Sequence, residues 1–248
     1  MTVTSVALPG LPEVAPGDNL AELIAATGFE FAPGDVLCVA HKVVSKSEGR
    51  IVSLQDVDPS DRASTLAASH GKDPRHVQVV LDEAAEIVRE RPGVLICRTR
   101  HGFVCANAGV DASNAGATDR LILLPLDPDG SARWLRAALH EITGVAPAIV
   151  ITDSFGRAWR HGQVEIAIGV AGLTLIDDWD GRFDSDGRPL KATSIAVADE
   201  AAAAADLVRS KDSREPAVVL RGLGHRVEEQ DGPGIATLIR SAAEDLFS

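Results

Sequence analysis

A mixed α+β fold follows from three features of the sequence. Short apolar runs of β character stand beside amphipathic helical segments, the two kinds do not strictly alternate, and the chain is long enough to enclose a core. Strict alternation would favour a doubly wound parallel sheet; its lack favours mixed sheets with flanking helices. A chain of 248 residues typically buries about 70–75% of its unfolded surface. With 45% apolar and 24% charged residues the composition is globular, which excludes bulk disorder.

The elements follow in order. Val3–Leu8 reads as a strand ending in a Pro-Gly-Leu-Pro turn at Pro9–Pro12. Asp18 is placed to cap a helix over Asn19–Ala26, whose Leu20, Leu23 and Ile24 share one face. Val36–Ala40 is a buried strand, Ile51–Val52 its expected return, and the polar stretch between them a loop. Asp73 and Pro74 start a helix with Val77, Val80, Leu81 and Ala84 at helical spacing, which Pro92 should stop. Val94–Cys97 and Phe103–Ala106 bracket a turn at Arg100-His101-Gly102, as in a hairpin. Leu121–Leu124 is a further strand, and Ser131–Thr143 a helix ended by Gly144. Ala148–Thr152 and Thr174–Asp177 read as strands, Ser194–Val208 as an alanine-rich helix and Ala217–Leu220 as a strand. A last helix is expected over Ile235–Phe247.

Charge narrows the partners. The 24 Lys and Arg against 36 Asp and Glu leave a formal charge of −12, which opposes nucleic acid and anionic membranes at long range. An anionic ligand must therefore be met by local basic clusters. The amino terminus has neither the basic region nor the apolar core of a signal peptide. No apolar run reaches the roughly 18 residues of a membrane span; the longest, Val164–Ile176, is cut by glycines and by Glu165. Cys38, Cys97 and Cys105 lie in or beside apolar stretches without CxxC spacing, the pattern of buried free thiols in a reducing compartment. A cytoplasmic protein is expected.

Four polar clusters lie at the ends of predicted strands, where loops carry function. The first, His41 to Arg50, includes Lys42, Lys46 and Arg50, donors suited to phosphate oxygens; the alternative is a solvated loop. The second runs from Arg98 through Asn107 to Asn114. Its Asp111 and Asn114 are hard oxygen groups suited to Mg²⁺ or Mn²⁺, although an Asx turn would use the same residues. The third is Thr152-Asp153-Ser154-Phe155-Gly156-Arg157, where Asp153 leaves an apolar strand as a metal-holding carboxylate or as the cap of a following helix. Taken together, the second and third imply a divalent cation bridging a polyphosphate. The fourth, Asp177 to Arg182, reads as an exposed turn. There is no GxxxxGK[ST], GxGxxG after a strand, GxSxG or HExxH, and the seven histidines show no zinc-ligand spacing.

Five collinear blocks carry a more specific signal. They are Leu8 to Val14, Val43 to Arg50, Asn107 to Asn114, Ile151 to Arg157 and Ala196 to Glu200. Together they closely resemble the coenzyme F-420:L-glutamate ligase (F-420-0 gamma-glutamyl ligase) family, from about Leu8 to Phe247. The resemblance implies a GTP-dependent ligase that joins L-glutamate to a deazaflavin precursor through an acyl phosphate, releasing GDP and phosphate. It implies Asp111 and Asp153 on a first metal and Ser154 on a second, with Mg²⁺ or Mn²⁺ as the ion and any K⁺ requirement left open.

The nucleotide residues implied by the resemblance are Leu11, Pro12, Glu13 and Val14, then His41, Lys42, Lys46 and Asn114, then the late loop Arg209, Ser210, Lys211, Asp212, Ser213, Arg214, Glu215 and Pro216. That loop departs from the family's usual Met-Gly opening, and Lys211 has only donors to offer a cation. The resemblance further implies a gamma-glutamyl-ligase-type fold, one ligase domain over residues 1–248 or two intertwined subdomains, and an intertwined homodimer. In some actinobacteria a flavin-binding, nitroreductase-like domain follows the ligase. The sequence ends at Ser248, so that domain and its FMN are expected to be absent, whether the ligase stands alone or is cut at the boundary. Two other classes fit the same clusters: a metal-dependent phosphohydrolase and a non-catalytic GTP-binding relative.

Overall fold

The computed structural model describes residues 2–245 apart from Asn114, Ala117, Lys211 and Ala242. The chain begins with β1 (Thr4–Ala7), α1 (Leu20–Ala25), β2 (Val36–Ala40), α2 (His41–Ser47) and β3 (Ile51–Ser53). Next come α3 (Asp61–His70), α4 (Pro74–Glu83), β4 (Ala84–Arg91), β5 (Val94–Thr99), β6 (Val104–Ala106) and β7 (Arg120–Ile122). The remainder is α5 (Pro128–Thr143), β8 (Ala148–Arg157), β9 (Arg160–Ala171), β10 (Ile176–Asp178), β11 (Ser194–Ala196), α6 (Val197–Asp206) and β12 (Ala217–Arg221). The fold class is α+β, as the sequence predicts.

The main sheet has the order β1-β12-β2-β8-β9. Its one parallel pair is β2 with β8, in register from Val36 opposite Ala148 to Ala40 opposite Thr152. Val36, Leu37, Cys38 and Val39 in β2, and Ala148 to Ile151 in β8, are fully buried, the run expected of central strands covered on both faces. A second cluster packs α3 and α4 on β5 and β7 through Ala63, Ala67, Val77, Val80, Leu95 and Leu121. Among the described residues, no helix is long and apolar enough to cross a membrane.

Several boundaries differ from expectation. Asn19, not Asp18, caps α1: its side chain accepts from the backbone N–H groups of Ala21 and Glu22, while Asp18 accepts from Ala15. The stretch 41–47 is helix and not loop, because Val43 and Val44 are buried together with His41 and Lys46. It ends at Gly49, φ +70°, where Arg50 N–H donates to Ser45 O and Gly49 N–H to Lys46 O, the left-handed termination open to glycine. Ile51 pairs with Ile122 on β7 and is not a return strand of β2.

Helix α4 stops at Glu83, well before Pro92, because Ala84–Arg91 is drawn into pairing with β5. Asp177 is buried, accepting from Trp179 Nε1 and Arg226, so the Asp177–Arg182 stretch is anchored and not simply an exposed turn. Ser194–Ala196 forms β11 against β10, so the alanine-rich helix begins only at Val197. The expected last helix is reduced to a 3-10 turn at Ile235–Leu238; the end of that stretch, Leu246 and Phe247, lies outside the described residues. All three cysteines are free and buried, as expected.

Candidate functional site

The parallel pair decides where a cleft can open. The pairing of β2 with β8 ends at Ala40 and Thr152, and chain diverging from adjacent parallel strands creates a crevice at that edge. Helix α2 leaves β2 there, while β8 continues past the sheet as a long hairpin with β9. The resulting cleft has a volume of about 990 Å³.

Its walls gather most of the nucleotide and metal residues implied by the resemblance, but not Arg50 of the first polar cluster, which pairs with Glu83 instead. Leu11, Pro12, Glu13 and Val14 come from the segment after β1, and His41, Lys42 and Lys46 from α2. Asp111 enters from the segment before β7, and Asp153 and Ser154 from β8. Arg209, Ser210, Asp212, Arg214, Glu215 and Pro216 come from the loop between α6 and β12. Ser213 is in that loop but does not line the cleft; its hydroxyl donates to Ser210 O and accepts from Glu215 N–H. Asn114 and Lys211 lie outside the described residues.

The carboxylates are held firmly. Asp111 is locked by a two-way backbone bridge to Ile122 at 3.0 and 2.8 Å. Its side chain accepts from Ser113 N–H at 2.6 Å and faces Lys42 Nζ, also at 2.6 Å. Burial alone would raise the Asp111 pKa, but the hydrogen bonds from Lys42 and Ser113 outweigh it and hold the carboxyl below its ordinary value. Asp153 accepts from Ser154 N–H at 2.7 Å, and His41 Nε2 stands 3.3 Å from its Oδ1. His41 is 2% exposed, its Nδ1 being 3.4 Å from Ser45 Oγ. Lys46 is buried and spans from α2 to Glu13 on the facing wall.

Asp111 is presented by an unusual piece of backbone. Asn107, Ala108 and Gly109 have φ of +51°, +54° and +74°, three successive residues in the left-handed region that L side chains disfavour. Ala108 is buried there, and Asn107 Oδ1 accepts from Lys72 Nζ at 2.8 Å. Such strain persists where surrounding structure over-determines it, a common feature of functional sites.

Sequence reasoning missed three members of the wall: Thr152 as a hydrogen-bonding group, Gln163 and Glu165. Glu165 is 3% exposed, pairs with Arg209 Nη2 at 2.8 Å and accepts from the Ser154 hydroxyl. The available signal was the lone carboxylate interrupting Val164–Ile176, since a charge inside an apolar run must find a partner.

The oxygens of Asp111, Asp153 and Ser154 form a hard donor set suited to Mg²⁺ or Mn²⁺. Among the described residues, no three His, Cys, Asp or Glu side chains converge as a cage.

A mixed α+β domain that gathers carboxylates, hydroxyls and basic side chains around one cleft has the make-up of a ligand-binding domain. The family model described as F420-0:Gamma-glutamyl ligase matches residues 10–222. The chain is 49% identical over 237 residues to the coenzyme F420:L-glutamate ligase of Methanopyrus kandleri, covering 95% of this chain and 93% of the relative. The proteins of the same name from Methanothermobacter thermautotrophicus and Archaeoglobus fulgidus are 43% and 44% identical. Those alignments cover 100% and 93% of this chain, and 99% and 96% of the relatives. This chain belongs to the F420-0:gamma-glutamyl ligase family.

Proposed function

We propose that this chain is a GTP-dependent ligase that joins L-glutamate to a deazaflavin precursor of coenzyme F420. The observation that carries the reading is the convergence, in one cleft, of residues drawn from the segment after β1, α2, the segment before β7, β8 and the α6–β12 loop. The names of the similar ligases supply coenzyme F420 and L-glutamate; GTP as co-substrate rests on the resemblance of the sequence blocks. On this reading the precursor's carboxylate attacks the γ-phosphorus of GTP, giving an acyl phosphate and GDP. The glutamate amine then attacks the acyl carbon; the C–O bond to phosphate breaks, the nitrogen gives one proton to the departing phosphate, and an amide and inorganic phosphate leave.

The chain's own residues serve this chemistry by binding and orienting. Lys46 and Lys42 place ammonium groups in the cleft against the charge of the triphosphate. Asp111, Asp153 and Ser154 would hold Mg²⁺ or Mn²⁺, which when bound supplies charge neutralisation on the phosphoryl oxygens. His41 stands beside Asp153, its buried Nε2 3.3 Å from the carboxylate Oδ1. We further read residues 1–248 as one ligase domain acting as an intertwined homodimer, which sedimentation at twice the 26.0 kDa chain mass would verify.

Hydroxylamine offered in place of glutamate tests the intermediate. GTP-dependent formation of the precursor's hydroxamate is expected. Phosphate release without hydroxamate would assign the cleft to hydrolysis instead.

A further inference from the structure

The wall formed by β8 and β9 holds a charged group that the proposed reaction does not use directly. In the antiparallel register Ser154 stands opposite Glu165, so the two side chains project to the same face as a cross-strand pair. Glu165 is 3% exposed. One carboxylate oxygen accepts the Ser154 hydroxyl proton, and the other meets Arg209 Nη2 at 2.8 Å. Arg209 also donates to Thr152 Oγ1 and Pro216 O, each at 3.2 Å. The guanidinium thus spans the two ends of the 209–216 loop and ties them to both strands.

Ser154 is a neutral hydroxyl, a weak cation ligand unless its proton is directed elsewhere. A hydroxyl has one proton and two acceptor lone pairs. With its proton committed to Glu165, the Ser154 oxygen is presented as an acceptor. We infer that Glu165 is a positioning residue for the divalent cation: it fixes the Ser154 hydroxyl as a metal ligand and, through Arg209, sets the 209–216 loop against that ligand. The inference rests on the metal-assisted reading of the cleft and extends it to a carboxylate with no place in the five sequence blocks. Outer partners of this kind orient the groups that touch the ion, and their loss typically lowers metal affinity about 10–100-fold.

The test is a Mn²⁺ titration of the purified protein, following free Mn²⁺ by electron paramagnetic resonance in the presence of a non-hydrolysable GTP analogue. Glu165→Leu alone strands the buried Arg209 charge and can fail to fold for that reason. The double variant Glu165→Leu, Arg209→Met removes both charges and keeps the apolar volume. We expect it to melt near the wild-type temperature and to bind Mn²⁺ about 10–100-fold more weakly, matching Ser154→Ala. If the double variant binds Mn²⁺ like the wild type, Glu165 serves only as the counter-charge of Arg209 and the inference is overturned. If the wild type itself takes up no Mn²⁺, the metal reading of the cleft falls and this inference falls with it.

Discussion

His41 Nε2 lies 3.3 Å from Asp153 Oδ1, bringing the first residue of α2 beside the point where β8 leaves its pairing with β2. The contact crosses the carboxyl ends of the only parallel pair in the main sheet, the place where the five segments of the cleft meet. His41 is nearly inaccessible and Asp153 is 16% exposed, so the imidazole acts as the fixed side of the pair and the carboxylate faces the cleft.

Asp153→Asn keeps the size of the side chain and removes its charge. Loss of nearly all ligation is expected, with a cooperative thermal transition retained because the residue sits at the cleft surface. Turnover at the wild-type rate would remove Asp153 from the cation site.

Lys46 is buried and joins α2 to Glu13, which is 79% exposed. The variant Lys46→Ala should raise the GTP concentration needed for half-maximal rate by tenfold or more, on the order of 1.4 kcal/mol of lost phosphate interaction. The glutamate requirement should stay unchanged. A defect confined to glutamate would instead place Lys46 on the acceptor side.

Gly109 tests the strained turn that presents Asp111. With φ at +74°, an added Cβ would lie 2.7 Å from Leu124 side-chain atoms. The variant Gly109→Ala should lose about 1–3 kcal/mol of stability, from strain and overpacking together. It should also weaken cation binding, because Asp111 follows two residues later. Denaturant melts and a Mn²⁺ titration would measure the two effects. An unchanged midpoint and affinity would show that the turn tolerates a side chain.

The thiols give a pH prediction. Burial pushes Cys38 and Cys105 up to about 12 from an ordinary value of 9.0, and Asp153 adds to the effect at Cys105. Folded chains therefore keep these protons at pH values where unfolded chains lose them. The stabilisation is complete below about 9 and is lost as pH rises from 9 toward 12. Thermal melts should shift downward over that window, and Cys38→Ala with Cys105→Ala should flatten the slope. A slope unchanged in that double variant would assign the alkaline loss to other groups.

The sequence revealed more of the site than of its supports. The elements built on strong patterns appear near their expected places, including β2, the β5–β6 hairpin, α5 with its Gly144 end and β12. Helix α2 was missed because His41-Lys42-Val43-Val44-Ser45-Lys46-Ser47 has poor helical propensity and is helical through the burial of Val43 and Val44. Helix α3 carries few large apolar residues, burying only Ala63 and Ala67, so its period is faint. Most cleft residues were legible because they lie in collinear motifs. The Glu165–Arg209 pair was not, since its meaning depends on the β8–β9 register and on a loop that returns from α6. No local spacing encodes a contact between residues so far apart.

The most direct test of the ligase reading is a mass spectrum of the deazaflavin precursor after incubation with the protein, GTP, Mg²⁺ or Mn²⁺, and L-glutamate. A product series spaced by one glutamyl residue, formed with GTP and lost with Asp153→Asn, is the predicted result. A precursor of unchanged mass, while GTP is consumed in the same mixture, would contradict it and leave hydrolysis as the activity of the cleft.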